Sequence, residues 1–169
     1  MGNPPEEKTT LSAPGARRPF LRPDVPEKTL AEWQRALDTM AECLGVPVSL
    51  IKRAEFERMV VIVANESGDH PFRPGRAARL DSGVYCETVA ARREALLVPN
   101  ALEDPQWSGG PSVRLGFVSY LGFPLLRPDG ELFGTLCVLD RKENEFGDDA
   151  RELVLRGKTD IERDLGELG

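Results

Sequence analysis

The chain has 169 residues, of which 40% are hydrophobic and 30% charged, enough for one globular domain with a buried core. A net charge of −6 argues against a mainly electrostatic nucleic-acid binder, and no apolar run approaches the ~20 residues of a membrane helix or forms a secretory signal. Cys43, Cys86 and Cys137 are too few and too widely spaced for a disulfide framework or a cysteine metal site, so a cytoplasmic protein with free thiols is expected.

Residues 1–28 hold six of the fourteen prolines and no apolar periodicity, which predicts a flexible leader or interdomain linker. From Thr29, a residue able to cap a helix, Leu30, Trp33, Leu37, Met40, Ala41 and Leu44 recur at three and four positions. This predicts a helix ending at Gly45. Cys43 is expected to pack within it. Strands are predicted at Val46–Ala54 and Arg58–Ala64, the second rich in β-branched residues. Residues 65–80, broken by Pro71, Pro74 and Gly75, read as loop.

Asp81 or Ser82 is placed to cap a helix over Val84–Glu94, followed by a short strand at Ala95–Val98 and a loop from Pro99 to Pro111. Two apolar runs, Phe117–Leu126 and Glu131–Asp140, flank Arg127-Pro128-Asp129-Gly130. That turn chemistry predicts a bulged hairpin, and apolar residues on both faces predict cover on both sides of its sheet. Asp148 or Asp149 opens a charged helix whose apolar seam is interrupted by Gly157. The acidic residues 143–152 lack the spacing of a calcium loop. Helices at both ends of an antiparallel core give an α+β fold class.

Tyr85-Cys86-Glu87-Thr88-Val89, Leu97-Val98-Pro99-Asn100-Ala101 and Asp104-Pro105 occur in that order. They are followed by Ser119-Tyr120-Leu121-Gly122-Phe123-Pro124-Leu125, Pro128-Asp129-Gly130 and Gly134-Thr135-Leu136-Cys137-Val138-Leu139-Asp140. From about Leu30 to Phe146 the chain resembles the GAF domains of bacterial signalling proteins. The resemblance implies a central antiparallel sheet of about five to six strands. Terminal helices would pack on one face, with loops and a short helix covering a pocket on the other. It also implies a core over 29–147, a signalling helix over 148–169 and a homodimer linked covalently to a kinase or cyclase output domain. The function so implied is non-catalytic sensing of a small cytoplasmic molecule, with no nucleic acid or membrane partner. Neither the ligand nor any cofactor is specified.

Within that frame the candidate ligand-binding residues are Tyr85, Cys86, Asp104, Trp107, Phe117, Ser119 and Cys137. Cys86 would lie in the first turn of a helix, where amide dipoles favour an anion. It is either a redox switch or attachment point, or a small apolar packing residue. Cys137 alternates with Thr135 and Leu139, lining the pocket or filling the core. Trp107 with Asp104 offers an apolar face beside a carboxylate, or else an anchor for its loop. Alternation puts Phe117 and Ser119 on one face of their strand and Tyr120 on the other.

His70, Arg73, Arg76 and Arg79 are either an anion grip or a solvated loop, and a Cys86–His70 thiol–base couple is the corresponding catalytic idea. One GAF branch, the free methionine-(R)-sulfoxide reductases, performs thiol chemistry in this pocket. This chain places only Cys86 near the cysteines of that branch, and carries Cys137 and Leu139 where the branch places acids. The cysteine and histidine setting of tetrapyrrole-binding relatives is not reproduced. A ligand-free dimerisation module is the remaining alternative.

Overall fold

The computed structural model describes residues 25–79 and 84–168. The proline-rich stretch up to residue 24 lies outside them, as do Asp81 and Ser82, the expected helix caps.

Helix α1 (Glu27–Leu44) starts two residues before the expected Thr29. Pro26 stands at its N-cap in extended conformation (φ −62°), where the fixed ring torsion and missing N–H cost nothing. Trp33, Leu37, Met40 and Ala41 form its buried stripe, and Gly45 ends it in the left-handed conformation (φ 67°). Cys43 falls outside that stripe and is exposed, so its expected packing role does not hold.

Strands β1 (Val48–Glu55) and β2 (Arg58–Ala64) form a hairpin. A third strand, β3 (Ala77–Arg79), pairs with β2 inside the stretch expected to be loop. Helix α2 (Tyr85–Arg92) and strand β4 (Leu96–Val98) follow, then a 3-10 turn at Ala101–Glu103 and a one-turn helix α3 (Pro111–Arg114). Strands β5 (Ser119–Leu126) and β6 (Leu132–Asp140) make the second hairpin. Its turn has Gly130 at φ 89°, and the register slips at Leu125/Leu126, as the expected bulge requires. Helix α4 (Asp148–Leu168) opens with two aspartates in its first turn, where they complement the helix dipole.

The six strands among the described residues are all antiparallel, in the order β3-β2-β1-β6-β5-β4. The two hairpins thus meet along one seam, β1 against β6. Helices α1 and α4 cover one face, where Trp33, Leu37, Met40, Leu136, Ile161 and Leu165 share a core. Burial of each such side chain contributes about 1.5–3 kcal/mol. The Trp33 indole N–H donates to Asp164 at 2.9 Å and ties the two helices together. Gly157 lets them approach: an added Cβ would lie 2.7 Å from Met40 Cε. The opposite face is covered by α2, α3 and the connecting loops, around Leu50, Val89, Trp107, Phe117 and Tyr120. Among the described residues, no helix is long and apolar enough to cross a membrane.

Candidate functional site

The sheet presents side chains to this second face in rows set by its register. Lys52 lies opposite Thr135, which lies opposite Pro124; Leu50, Cys137 and Gly122 form the next row, and Val48, Leu139 and Tyr120 the third. Gly122 leaves room for the Tyr120 ring, since a Cβ there would meet the Tyr120 hydroxyl at 2.1 Å. Helix α2 lies over these rows and turns Tyr85, Cys86 and Val89 inward, the spacing of one helical face.

A cavity of about 140 Å³ opens between Lys52, Val61, Phe72, Arg76, Ser112 and Leu115. A second pocket of about 10 Å³ shares Lys52, Phe72, Val84 and Ser112 with it, and continues between Tyr85, Cys86, Tyr120 and Cys137. That volume is roughly one water. Lys52 links the two. It is only 8% exposed, and its Nζ donates to Cys86 Sγ at 3.1 Å while standing 5.9 Å above the Phe72 ring. Arg76 lies over the same ring at 5.7 Å.

Three of the expected ligand contacts, Tyr85, Cys86 and Cys137, therefore converge on one pocket. The Tyr85 hydroxyl donates to the Phe117 carbonyl at 3.0 Å, and burial pushes its pKa up to about 12. Burial likewise raises Cys137 to about 12, assisted by the nearby Cys86, so this thiol stays protonated. Burial also holds the Tyr120 phenol well above its usual range.

The other four candidates separate. Trp107 is buried against the Tyr85 ring, with centroids 5.1 Å apart. Asp104 is turned into its own loop: its carboxylate accepts from Gln106 N at 3.0 Å, and its carbonyl accepts from Trp107 N and Ser108 N. These two residues do not present a joint face to the described pockets. Phe117 precedes the strand, which begins at Ser119, and packs on Phe72 at 5.4 Å in the same core as Tyr120. The expected separation of Phe117 from Tyr120 fails because strand alternation does not apply before Ser119. Ser119 does lie on the other face, donating to the Lys142 carbonyl at 2.8 Å.

Arg73 and Arg76 do not form one grip. Arg73 turns to His70 and the Phe72 carbonyl, whereas Arg76 faces the cavity and the Arg79 backbone joins β3. His70 is not the partner of Cys86. Its Nδ1 accepts from Phe72 N at 3.1 Å, which places the proton on Nε2, 2.9 Å from the Asn65 carbonyl. Sequence reading missed Lys52, whose signal is its alternation with the apolar Val48 and Leu50 along one face of β1.

Desolvation lowers the His70 pKa below its ordinary 6.5; Arg73 and Arg141 add to this, against the Asn65 hydrogen bond and Asp69. The folded state therefore takes up the proton less readily than the unfolded chain. The contribution of this group is full above 6.5 and is lost as pH falls through the folded-state value. The thermal midpoint is expected to drop between about pH 7 and about pH 5 more steeply in the natural chain than in His70→Gln, which removes this titrating group. Equal slopes would contradict the assignment.

A family model described as GAF domain matches residues 32–156. No curated relative matches the sequence. Among solved structures, the GAF domain of an Acinetobacter phosphoenolpyruvate-protein phosphotransferase is 18% identical, with 85% of this chain and 96% of that one covered at a TM-score of 0.62. A methyl-accepting chemotaxis protein, residues 122 to 287, is 14% identical over 82% and 89%, with a TM-score of 0.65. The free methionine-R-sulfoxide reductase of Neisseria meningitidis, in complex with its substrate, is 18% identical over 82% and 78%, with a TM-score of 0.62. At such identities these likenesses speak for the fold alone. The sheet flanked by terminal helices on one face and a covered pocket on the other, together with the matched span, identifies the chain as a member of the GAF domain family.

Proposed function

We propose that this GAF domain is a non-catalytic, cytoplasmic sensory module whose ligand is a small organic anion. The observation that carries the reading is the 140 Å³ cavity with Lys52, Arg76 and Ser112 set around an apolar wall of Val61, Phe72 and Leu115. Its volume is near that of an engineered apolar cavity, about 150 Å³, that admits benzene. A single ring or short chain therefore fits. None of the described lining residues is a carboxylate, and a carboxylate or phosphate group is what an ammonium, a guanidinium and a hydroxyl together recognise.

In this reading residues 29–147 hold the ligand, and 148–169 pass its occupancy to a covalently linked output domain within a homodimer. A contiguous set of contacts across the sheet supports the relay. Lys52 pairs with Thr135 and Thr135 with Pro124, whose carbonyl accepts from Lys158 of α4 at 2.7 Å. Signalling along it requires unequal ligand affinity for two conformations.

Calorimetric titration with benzoate-sized carboxylates and small phosphate monoesters tests the reading. Arg76→Ala is expected to weaken binding about tenfold to a hundredfold, the worth of a hydrogen bond to a charged group. Binding equal to that of the natural chain, or no binding of any anion, would overturn it; the second outcome favours a ligand-free dimerisation module.

A thiol reductase is the second reading, favoured by the convergence of Cys86 and Cys137 on one pocket. The protonated Cys137 speaks against a second nucleophile there. Thiol-dependent turnover of free methionine sulfoxide, absent in Cys86→Ser, would establish it.

A further inference from the structure

We propose that Lys52 and Cys86 form a reversible covalent crosslink when the pocket meets a hydroperoxide. Three observations meet here. Lys52 Nζ already touches Cys86 Sγ at 3.1 Å, with both residues more than nine-tenths buried. The larger cavity reaches Lys52 from outside, and the smaller one continues from Lys52 to Cys86. The Tyr120 hydroxyl, in a residue 1% exposed, lines that smaller pocket without a hydrogen bond of good geometry. It stands beside Cys137, a weak partner at best. A buried hydroxyl with no better partner than a thiol is available as a donor to a small polar oxygen compound.

The chemistry balances. The thiolate form of Cys86 attacks one peroxide oxygen, the O–O bond breaks, and Cys86 becomes a sulfenic acid as the peroxide is reduced. The departing oxygen takes a proton from the Lys52 ammonium and leaves as water, or as an alcohol from an organic hydroperoxide. Lys52 is then a neutral amine beside an electrophilic sulfur. Its lone pair forms the N–S bond, the S–O bond breaks, and the hydroxide leaves as water with one amine proton. The product, a sulfenamide joining β1 to α2, has lost two hydrogens overall. Two equivalents of a low-molecular-weight thiol reverse it, giving back the thiol and amine plus a disulfide.

The crosslink stands apart from the anion reading. Only its consequence rests on that reading: a sulfenamide nitrogen is uncharged, so oxidation removes one of the two cations around the cavity.

The full chain, reduced and then treated with hydrogen peroxide, is digested without reductant and mapped by mass spectrometry. The expected product joins the Lys52 and Cys86 peptides, is two hydrogens lighter than their sum, persists in Cys137→Ala and disappears with dithiothreitol. Lys52→Arg keeps the charge but has no primary amine. It is expected to accumulate at least about tenfold more dimedone-trapped sulfenic acid at Cys86. A Cys86–Cys137 disulfide, a Lys52–Cys86 link retaining an oxygen, or an unreacted Cys86 would each overturn the proposal. Should Lys52→Arg fail to fold, the peptide map of the natural chain decides alone.

Discussion

Replacing Gly134 with alanine is expected to cost about 3 kcal/mol or more, at the upper end for overpacked interiors. A Cβ at this position would lie 1.8 Å from the Lys52 carbonyl oxygen and 2.9 Å from Arg53 Cα. Both are backbone atoms, so no rotamer change relieves the contact. Gly134 also pairs with Arg53 on one side and Leu125 on the other, in the middle of the sheet. The only escape is to part β6 from β1, which breaks ladder hydrogen bonds and moves Lys52. Against a total stability of about 5–15 kcal/mol, such a loss is visible as a large fall in the urea midpoint; an unchanged midpoint would refute the argument. The contrast with Gly157 is instructive. There the nearest atom is the free end of Met40, and alanine regains about 1 kcal/mol of helix propensity, so the net change is small.

Trp107→Ala is expected to cost about 3–5 kcal/mol, the range for deleting a buried aromatic. Trp107 is 6% exposed and lies against Tyr85, which in turn stacks on Tyr120 at 4.8 Å and bonds to the Phe117 carbonyl. Removing the indole leaves a void under α2. Trp107→Phe should restore most of the loss, because the position needs volume and an aromatic face. Chemical denaturation of both variants measures this. A Trp107→Ala protein of ordinary stability that had lost anion binding would instead make Trp107 a ligand contact.

The elements most legible in the sequence were those with strong local grammar. The stripe of α1, the Gly45 stop and the Pro128-Asp129-Gly130 hairpin follow from helical spacing, left-handed glycine and turn chemistry acting over a few residues. β3 was hidden because Ala77–Arg79 has no β-branched or aromatic residue; its pairing with β2 exists only in the tertiary structure. The interruption read at Gly157 was a helix contact in disguise, since composition cannot show what lies opposite a glycine. At the site, Tyr85, Cys86 and Cys137 were visible through helix and strand periodicity. Lys52 was not, because its meaning depends on the neighbour that α2 brings to it from 34 residues away.

The seam between the hairpins has a kinetic consequence. β1–β2 and β5–β6 are each local, but the seam pairs Val48 with Leu139 and so closes one long loop of chain. Nearly everything that roofs the pocket, from Phe72 through α2 to Phe117, belongs to that loop. Among the pairings of the sheet it is the longest loop closure, so the two hairpins are expected to form early and the seam late. Once the seam is closed, the roof can lift without breaking any pairing between β1 and β6. Amide protons along β1 and β6 should therefore exchange only through global unfolding, while those of the roof exchange through smaller openings. Solutes are then expected to reach the pocket on the timescale of roof opening, with the sheet beneath intact.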